Sequence, residues 1–261
     1  MKIILDGRAM TTNAVLAMGF FDGVHVGHQV LLEKAKTLAN QWEVPLVACS
    51  FSRHPLSLLA PDNCPKCIQT LEERLESLEK MGVDIFFSMP FNQALLDTPA
   101  EDYIGELYRR FHPLAIVCGY NHHFGAKSRG STCLLEAIGN DLNFQTIVIP
   151  KICYDNLDVS SSIIRKLILN GDFNQVTNLL SRPYALKGCI NKANEQYIFL
   201  KENNEKQMMC SGQYKVNIQY ENTNCPEIVT VTEKEEIIFD TNINFANNNF
   251  VTLQFIDKIL Q

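Results

Sequence analysis

The sequence predicts an α/β protein, with a doubly wound parallel sheet followed by a small antiparallel β-rich domain. Over the first 180 residues, short runs that are apolar nearly throughout alternate with amphipathic stretches. Such runs are typical of parallel strands covered on both faces. After Arg182-Pro183 the chain becomes rich in asparagine and its apolar residues begin to alternate with polar ones, which is typical of antiparallel strands.

Strands and helices of the first domain follow from the same pattern. One helix face is indicated by Leu31, Ala35, Leu38 and Trp42, which recur at helical spacing. The alternation of strands with helices predicts the parallel sheet. The predicted strands are Ala14–Met18, Leu46–Phe51, Val83–Phe87, Leu114–Cys118 and Phe144–Ile149.

Three further helix boundaries carry recognisable signals. The segment 70–73 (Thr-Leu-Glu-Glu) predicts a capping box that opens a helix ending at Gly82. The segment 98–101 (Thr-Pro-Ala-Glu) predicts a second box with proline at the first helical position. Serines 160–162 predict the N-cap of a helix that ends at Asn170-Gly171.

The second domain is predicted from five short strands. We place the domain boundary near residue 186, which gives domains 1–186 and 187–261. The predicted strands are Tyr197–Lys201, Tyr214–Tyr220, Glu227–Thr232, Glu235–Phe239 and Phe250–Ile256.

Composition narrows the class of protein. Hydrophobic residues make up 46% and charged residues 20% of the chain, as in ordinary globular proteins. The net charge of −6 argues against nucleic acid as a partner. No apolar stretch approaches the roughly 18 residues of a spanning helix, and the first ten residues carry three charges and no signal-peptide core. We therefore expect a cytoplasmic protein without a membrane partner.

Nine cysteines do not form a disulfide pattern. The count is odd, and most of them lie inside apolar runs, which suits reduced, buried thiols. Cys64 and Cys67 form one C-x-x-C pair, but a zinc site would need a second pair at matching spacing. We interpret the pair as a chance feature of a surface loop.

The strongest chemical signal follows the first predicted strand. Residues 19–28 read G-F-F-D-G-V-H-V-G-H, with His25 and His28 where the next helix begins. Glycines allow a tight turn and a close backbone approach to a ligand. Helix N-termini attract phosphate, and imidazoles placed there can stabilise charge during group transfer. A tight turn with incidental histidines is the plainer alternative.

Three other loops carry matching chemistry. Arg165 lies one turn into the serine-capped helix, where its guanidinium could hold the same anion; an ordinary capped helix is the alternative. Residues 119–130, after the fourth strand, contain glycines and two cations, and Arg53 follows the second strand. A mobile surface loop and a solvated arginine are the alternatives there.

Together the four loops predict a polyphosphate site at the carboxyl edge of the sheet. The sequence contains neither a Walker-type P-loop nor a G-x-G-x-x-G after the first strand. Adenylyl transfer to a phosphate acceptor suits such a site, because the acceptor is already ionised at neutral pH. Catalysis then depends on positioning and charge stabilisation.

These motifs resemble the bacterial bifunctional riboflavin kinase/FAD synthetase family, and specifically its FMN adenylyltransferase module. The resemblance covers roughly residues 10 to 185 and rests on the turn at 19–28, the G-x-N-x-x-F-G loop at 119–125 and the S-S-S-x-x-R segment. It implies a Rossmann-like nucleotidylyltransferase domain that uses ATP with Mg²⁺ and takes FMN as its acceptor. The oligomeric state is not predicted.

The resemblance also implies roles for particular residues. Catalytic roles fall on His25, His28 and Arg165. No residue is predicted to bind a metal directly. ATP contacts are implied for Gly19, Phe20, Phe21, Asp22, Gly23, His25, His28, Gly119, Ser161, Ser162 and Arg165. Flavin contacts are implied for Phe51, His54, Asn121 and Phe124. To these we add Arg53, which follows the second strand and could hold the phosphate of the acceptor.

The chain departs from the family pattern in two regions. Arg53 stands where the family usually has proline, and His122 where it often has phenylalanine; both fall on the acceptor side. The second domain lacks the Pro-Thr-Ala-Asn motif of the family's kinase module. We therefore expect no riboflavin kinase activity and a reduced remnant of the kinase barrel. Two alternatives stay open: another acceptor such as nicotinamide mononucleotide or phosphopantetheine, and a flavin- or nucleotide-binding protein without turnover.

Overall fold

The computed structural model describes residues 1–5, 13–155, 157–193, 196–220, 223–239 and 249–259. Part of the charged N-terminal segment thus lies outside the described residues. By its contacts the chain divides into two compact units, 1–65 with 71–155, and 66–70 with 156–261. Among the described residues, no helix combines the length and the apolar character needed to cross a membrane.

A six-stranded parallel sheet forms the centre of the first unit. Its strand order is β1-β4-β3-β2-β5-β6, and every neighbouring pair is parallel. This order confirms the predicted parallel sheet. The strands are β1 (Lys2–Ile4), β2 (Ala14–Met18), β3 (Leu46–Ser50), β4 (Ile85–Ser88), β5 (Pro113–Gly119) and β6 (Gln145–Ile149).

Helices cover both faces of this sheet. Alternate residues of β2 enter two different cores: Val15 and Ala17 pack with the first and third helices, whereas Leu16 and Met18 pack with the fifth and sixth. Burial on both faces explains why the strands are apolar throughout. The helices are α1 (Val26–Gln41), α2 (Leu56–Leu59), α3 (Leu71–Lys80), α4 (Gln93–Leu96), α5 (Ala100–Phe111) and α6 (Thr132–Leu142).

Most predicted elements of this unit are confirmed, with two corrections. The five predicted strands are present, but β1 was missed because it is three residues long and its Ile3 is half exposed. The helix from Leu71 ends before Gly82, whose φ of +78° is the expected left-handed termination. The second capping box is wrong. Pro99 is the N-cap of α5 without a side-chain bond, and the Thr98 hydroxyl donates backwards to the Ala94 carbonyl at 2.8 Å.

A closed antiparallel barrel dominates the second unit. Its six strands are hydrogen-bonded in the order β10-β13-β12-β11-β14-β9. The five predicted strands are confirmed. The strand β9 was missed because the predicted domain boundary near residue 186 divides it. The strand β7 (Cys153–Tyr154) ends the first unit. The elements of the second unit are β8 (Leu157–Asp158), α7 (Ser161–Asn170), α8 (Phe173–Leu180), β9 (Tyr184–Ala193), β10 (Gln196–Lys201), β11 (Gly212–Tyr220), β12 (Thr223–Val231), β13 (Ile237–Phe239) and β14 (Asn249–Ile259).

Two helices share the core of the barrel. Ile164 and Ile168 of α7, and Phe173 and Val176 of α8, are fully buried in the same cluster as the inward-facing barrel residues. Their contacts therefore group residues 161–180 with the barrel, although the sequence texture groups them with the sheet. The predicted boundary near residue 186 falls inside the strand Tyr184–Ala193, and it remains our proposed division of function.

Candidate active site

Three of the predicted loops leave the sheet at one edge. The strands β3, β2 and β5 are neighbours, and Met18 at the end of β2 is in register with Cys49 of β3 and Cys118 of β5. The loops at 19–25, 51–55 and 119–130 therefore begin side by side. This edge is where open α/β sheets bind their ligands.

The turn after β2 holds a strained backbone. Phe21 and Val24 have φ values of +58° and +37°, and Gly23 has +87°. Positive φ is unusual for a bulky residue and rarer still for a β-branched one. The turn is closed by the Val24 N–H, which donates to the Phe21 carbonyl at 3.1 Å. Such strain persists only where the surrounding structure enforces it, and it clusters at functional sites.

His25 is the N-cap of α1. Its side chain accepts a hydrogen bond from the His28 backbone N–H at its Nδ1 atom, at 3.3 Å. An imidazole that accepts at Nδ1 carries its proton on Nε2. His25 is 6% exposed. Capping therefore fixes a buried imidazole as an Nε2–H donor at the positive end of a 16-residue helix.

His28 lies one turn further along the same helix. Its ring stacks on that of His25, with centroids 3.7 Å apart and planes 12° apart, and it meets the edge of the Phe21 ring. Its Nδ1 atom is buried and has no hydrogen-bond partner among the residues that the structure describes. Burial, the neighbouring His25 ring and the Arg74 guanidinium hold the pKa of the His28 imidazole well below its ordinary value. The ring is therefore neutral at pH 7, and an orphaned buried nitrogen of this kind is unusual outside functional sites.

A buried arginine connects two of the loops. Arg74 of α3 is 3% exposed and donates to the carbonyls of Phe20, Phe51 and Ser52 at 2.8, 2.7 and 3.2 Å. Its guanidinium also lies over the Phe20 ring, 4.5 Å from the centroid. Sequence reasoning missed this residue. Arg74 sits in a charged helix segment, and nothing local distinguishes it from an exposed arginine.

The loop after β3 presents the predicted acceptor-side residues. The Phe51 ring meets Phe91 at 5.0 Å, and the His54 ring meets the edge of Phe20 at 4.9 Å. His54 Nδ1 accepts from the Leu56 backbone N–H at 3.1 Å, which leaves its proton on Nε2. Arg53 is exposed. Phe20 thus connects this loop to the turn at residues 19–25.

The glycine loop after β5 is tightly packed at its far end. Asn121 is exposed, whereas Phe124 is buried and stacks with Tyr103 at a centroid distance of 6.0 Å. A Cβ added at Gly125 would lie 2.5 Å from the Ala100 backbone, and one at Gly130 would lie 2.5 Å from the Phe124 ring. Both glycines are required for this packing. Phe124 therefore supports the loop, whereas Asn121 is accessible to a ligand.

His122 occupies the same loop in a desolvated position. Its Nε2 atom is buried without a hydrogen-bond partner in the described part of the chain, and its ring stacks with Phe124 at 5.9 Å. Burial and the nearby charge of His123 lower the pKa of His122 to about 4. His122 is thus a further neutral imidazole at this edge of the sheet.

The serine segment begins α7 as predicted. The Ser160 side chain caps the helix by accepting from the Ile163 N–H at 3.3 Å, and Ser161 and Ser162 form its first turn. Arg165 Nε donates to the Lys66 carbonyl at 2.7 Å. This helix belongs to the second unit. The convergence of its serines and Arg165 with the two histidines on one triphosphate remains a prediction.

The described residues contain no group of three or more His, Cys, Asp or Glu side chains arranged to hold a metal ion. Their cysteines are free thiols. Cys67 joins the barrel unit through a short bridge to Lys206, with its N–H donating to the Glu205 carbonyl at 2.8 Å.

Fold and site together define the class of protein. A strained turn and stacked imidazoles at a helix start, on the carboxyl edge of a parallel sheet, are the arrangement in which α/β domains commonly bind phosphate. Comparison with known families is more specific: the model of the FAD synthetase family matches residues 8–163. The chain belongs to the FAD synthetase family.

Curated relatives agree with this assignment. The bifunctional riboflavin kinase/FMN adenylyltransferase of Buchnera aphidicola subsp. Schizaphis graminum is 30% identical over 190 residues, which cover 72% of this chain and 61% of the relative. The protein of the same description from Listeria monocytogenes is 30% identical over 197 residues, covering 73% and 62%. The matched region thus spans less than two thirds of these relatives.

A solved structure supports the fold. The crystal structure of a protein described as a macrolide-efflux protein from Streptococcus pneumoniae matches with a TM-score of 0.86 over 98% of this chain and 90% of that one. Its sequence identity is 22%. At that identity the match is evidence of the fold alone.

Proposed function

We propose that this chain transfers the AMP unit of ATP to FMN, giving FAD and pyrophosphate. A phosphate oxygen of FMN attacks the α-phosphorus of ATP, and the bond from that phosphorus to the pyrophosphate oxygen breaks. The acceptor is already ionised at neutral pH, so no general base is required. The stacked, neutral His25–His28 pair at the helix start is the observation that carries this proposal.

The two imidazoles stabilise the charge that builds up during transfer. His25 donates from Nε2 to phosphate oxygens, since its Nδ1 is occupied by the helix cap. Because burial, the His25 ring and the Arg74 guanidinium hold the pKa of His28 low, the ring is neutral and binds phosphate as a hydrogen-bond donor. Donors fixed in a water-poor site need no reorganisation during reaction. Gly19, Phe20, Phe21, Asp22, Gly23 and Gly119 supply the ATP-facing backbone in this proposal, and Ser161, Ser162 and Arg165 bind the phosphates.

The acceptor lies against the neighbouring loops. We assign the flavin side to Phe51, Arg53, His54 and Asn121, with Phe124 holding the loop that carries Asn121. Arg53 is exposed and positively charged, so it can pair with the FMN phosphate. The family resemblance and the adjacency of β3 and β5 to β2 support this assignment.

Mg²⁺ enters this proposal with ATP. The described residues offer no cluster of carboxylates, histidines or cysteines for a resident ion, and the phosphates themselves are good ligands for this cation. Bound there, the ion would neutralise charge on the departing pyrophosphate.

The barrel is proposed to lack riboflavin kinase activity, although the named relatives are bifunctional. The Pro-Thr-Ala-Asn motif is missing from this chain. Incubation with riboflavin, ATP and Mg²⁺ should yield no FMN. Clear FMN production would overturn this part of the proposal.

The central test is FAD formation by the purified full chain. FMN, ATP and Mg²⁺ should give FAD and pyrophosphate in equal amounts, measured by chromatography and a pyrophosphate assay. Nicotinamide mononucleotide and phosphopantetheine serve as competing acceptors. Faster pyrophosphate release with either would reassign the acceptor, and tight ATP and FMN binding without turnover would reassign the chain as a binding protein.

A further inference from the structure

Arg74 lies outside the predicted set of site residues, yet it contacts both loops of the proposed site. One guanidinium nitrogen donates to the Phe20 carbonyl at 2.8 Å, in the turn that precedes the histidines. The other donates to the carbonyls of Phe51 and Ser52 at 2.7 and 3.2 Å, in the loop on the acceptor side. One buried side chain therefore fixes the spacing between the ATP-side loop and the flavin-side loop.

The geometry requires a guanidinium. A planar fork with several donors can reach two loops at once, whereas an ammonium is a single compact charge. The Arg74 guanidinium also stacks on the Phe20 ring, which in turn meets the edge of His54. The Phe20 carbonyl accepts a second hydrogen bond from the Ser50 hydroxyl at 3.1 Å. These contacts hold Phe20 from three sides.

The positive charge of Arg74 also affects the pKa of His28. At 3% exposure it is screened little by solvent, and it is one of the groups that hold the pKa of His28 low, after burial and the His25 ring. Arg74 thus fixes the spacing of the two loops and also contributes to the low pKa of His28.

We propose that Arg74 is a positioning residue for nucleotidyl transfer, which sets the distance between the turn at 19–25 and the acceptor loop at 51–55. This rests on the proposed function, since it assigns Arg74 a part in that reaction. Arg74 does not itself touch the substrates.

Two substitutions separate the two effects. Arg74→Lys keeps the positive charge but cannot bridge both loops, so it should raise KM for FMN and lower kcat/KM by about 10–100-fold, since a misplacement of about 1 Å costs this much. The His28 titration should stay where it is in the native chain. Arg74→Gln removes the charge as well, so it should lower kcat/KM at least as far and shift the His28 titration upward.

The matched control is Lys80→Gln, which removes one positive charge from the exposed end of the same helix. It should leave both FAD formation and the His28 titration unchanged. Histidine NMR titration of the full chain reads the coupling to His28 without any turnover. The coupling of Arg74 to His28 can therefore be judged even if the native chain makes no FAD.

The outcomes are distinct. Native kcat/KM in both Arg74 variants overturns the positioning role, and an unshifted His28 titration in Arg74→Gln overturns the electrostatic one. Thermal melts confirm that each variant is folded. Should Arg74→Gln fail to fold, Arg74→Lys decides: a raised KM for FMN with an unmoved His28 titration supports the proposal, and native kinetics refute it.

Discussion

At the carboxyl edge of the sheet, strained backbone and unpartnered imidazole nitrogens lie in buried surroundings, whereas the barrel interior is filled by rings that contact one another. Phe21 and Val24 have positive φ, and His28 Nδ1 has no hydrogen-bond partner among the described residues. In the barrel, the Phe173 ring lies 5.1 Å from Phe255 and 5.7 Å from Tyr214.

The difference separates a site from a scaffold. Strain and orphaned polar groups each cost on the order of 1–3 kcal/mol, so a fold retains them where a ligand or a reaction uses them. Packed aromatic pairs stabilise the fold and leave no room for a ligand. We therefore expect the reaction to take place at the edge of the sheet in the first unit, and we expect the barrel core to stabilise the second unit.

The largest expected effect tests the barrel as scaffold. Phe173→Ala should lower the free energy of unfolding by about 3–5 kcal/mol, because it leaves a cavity among buried rings. Urea unfolding followed by circular dichroism measures it. Phe250→Ala is the matched control, since Phe250 is 50% exposed on the same barrel and should cost within about 0.5 kcal/mol. Equal effects for both would contradict a packed interior.

The next effect tests the sheet edge as the site. His28→Ala should lower kcat for FAD formation by about 10²–10³-fold, about 2.7–4 kcal/mol, if the imidazole acts as one fixed donor to the developing charge. The free energy of unfolding should change little. His112→Asn is a suitable control, because His112 is exposed, ends α5 in a left-handed conformation and asparagine tolerates that conformation. A native rate in His28→Ala would remove this residue from the mechanism.

Much of the fold and part of the candidate site could be predicted from the sequence. Apolar runs such as 46–51 predict buried parallel strands because both faces of the sheet are covered, and the H-x-G-H turn predicts its helix start because capping is local. The short β1 and the beginning of β9 carry too few residues for a periodicity. Arg74 could not be found, because its role depends on carbonyls more than 20 residues away in the chain.

A smaller effect is expected from His122, which should make the stability of the first unit depend on pH. The pKa of His122 falls from its ordinary value to about 4 on folding. The unfolded chain therefore takes up a proton below about pH 6.5 that the folded chain excludes, so stability is lost as pH falls from there toward 4. The loss should be about 1–2 kcal/mol, less than the full 1.4 kcal/mol per pKa unit because the ring is partly exposed.

The variant His122→Phe isolates this contribution, because it fills the same position with the ring that the family often has. Urea unfolding at pH 7 and at pH 4.5 should show a smaller acid loss in His122→Phe than in the native chain. Equal losses would mean that the His122 ring is hydrated in the folded protein. Other titrating groups cancel in the difference between the two chains.

The smallest expected effect concerns the reactivity of one thiol of the barrel unit, Cys210. Cys210 Sγ accepts from Lys258 Nζ at 3.0 Å and lies 3.3 Å from the Tyr214 hydroxyl. Partial burial raises the pKa of the Cys210 thiol, but the Lys258 ammonium and the Tyr214 hydroxyl outweigh it and hold that pKa below its ordinary value.

Because the thiolate is the nucleophile, Cys210 should be alkylated by iodoacetamide at pH 7 faster than the more exposed Cys133. Lys258→Met should slow Cys210 by roughly 3–10-fold while leaving Cys133 unchanged, as peptide mass mapping would show. If Cys133 reacts first in the native chain, the ion pair does not form in solution, and the barrel unit is as unreactive as its core.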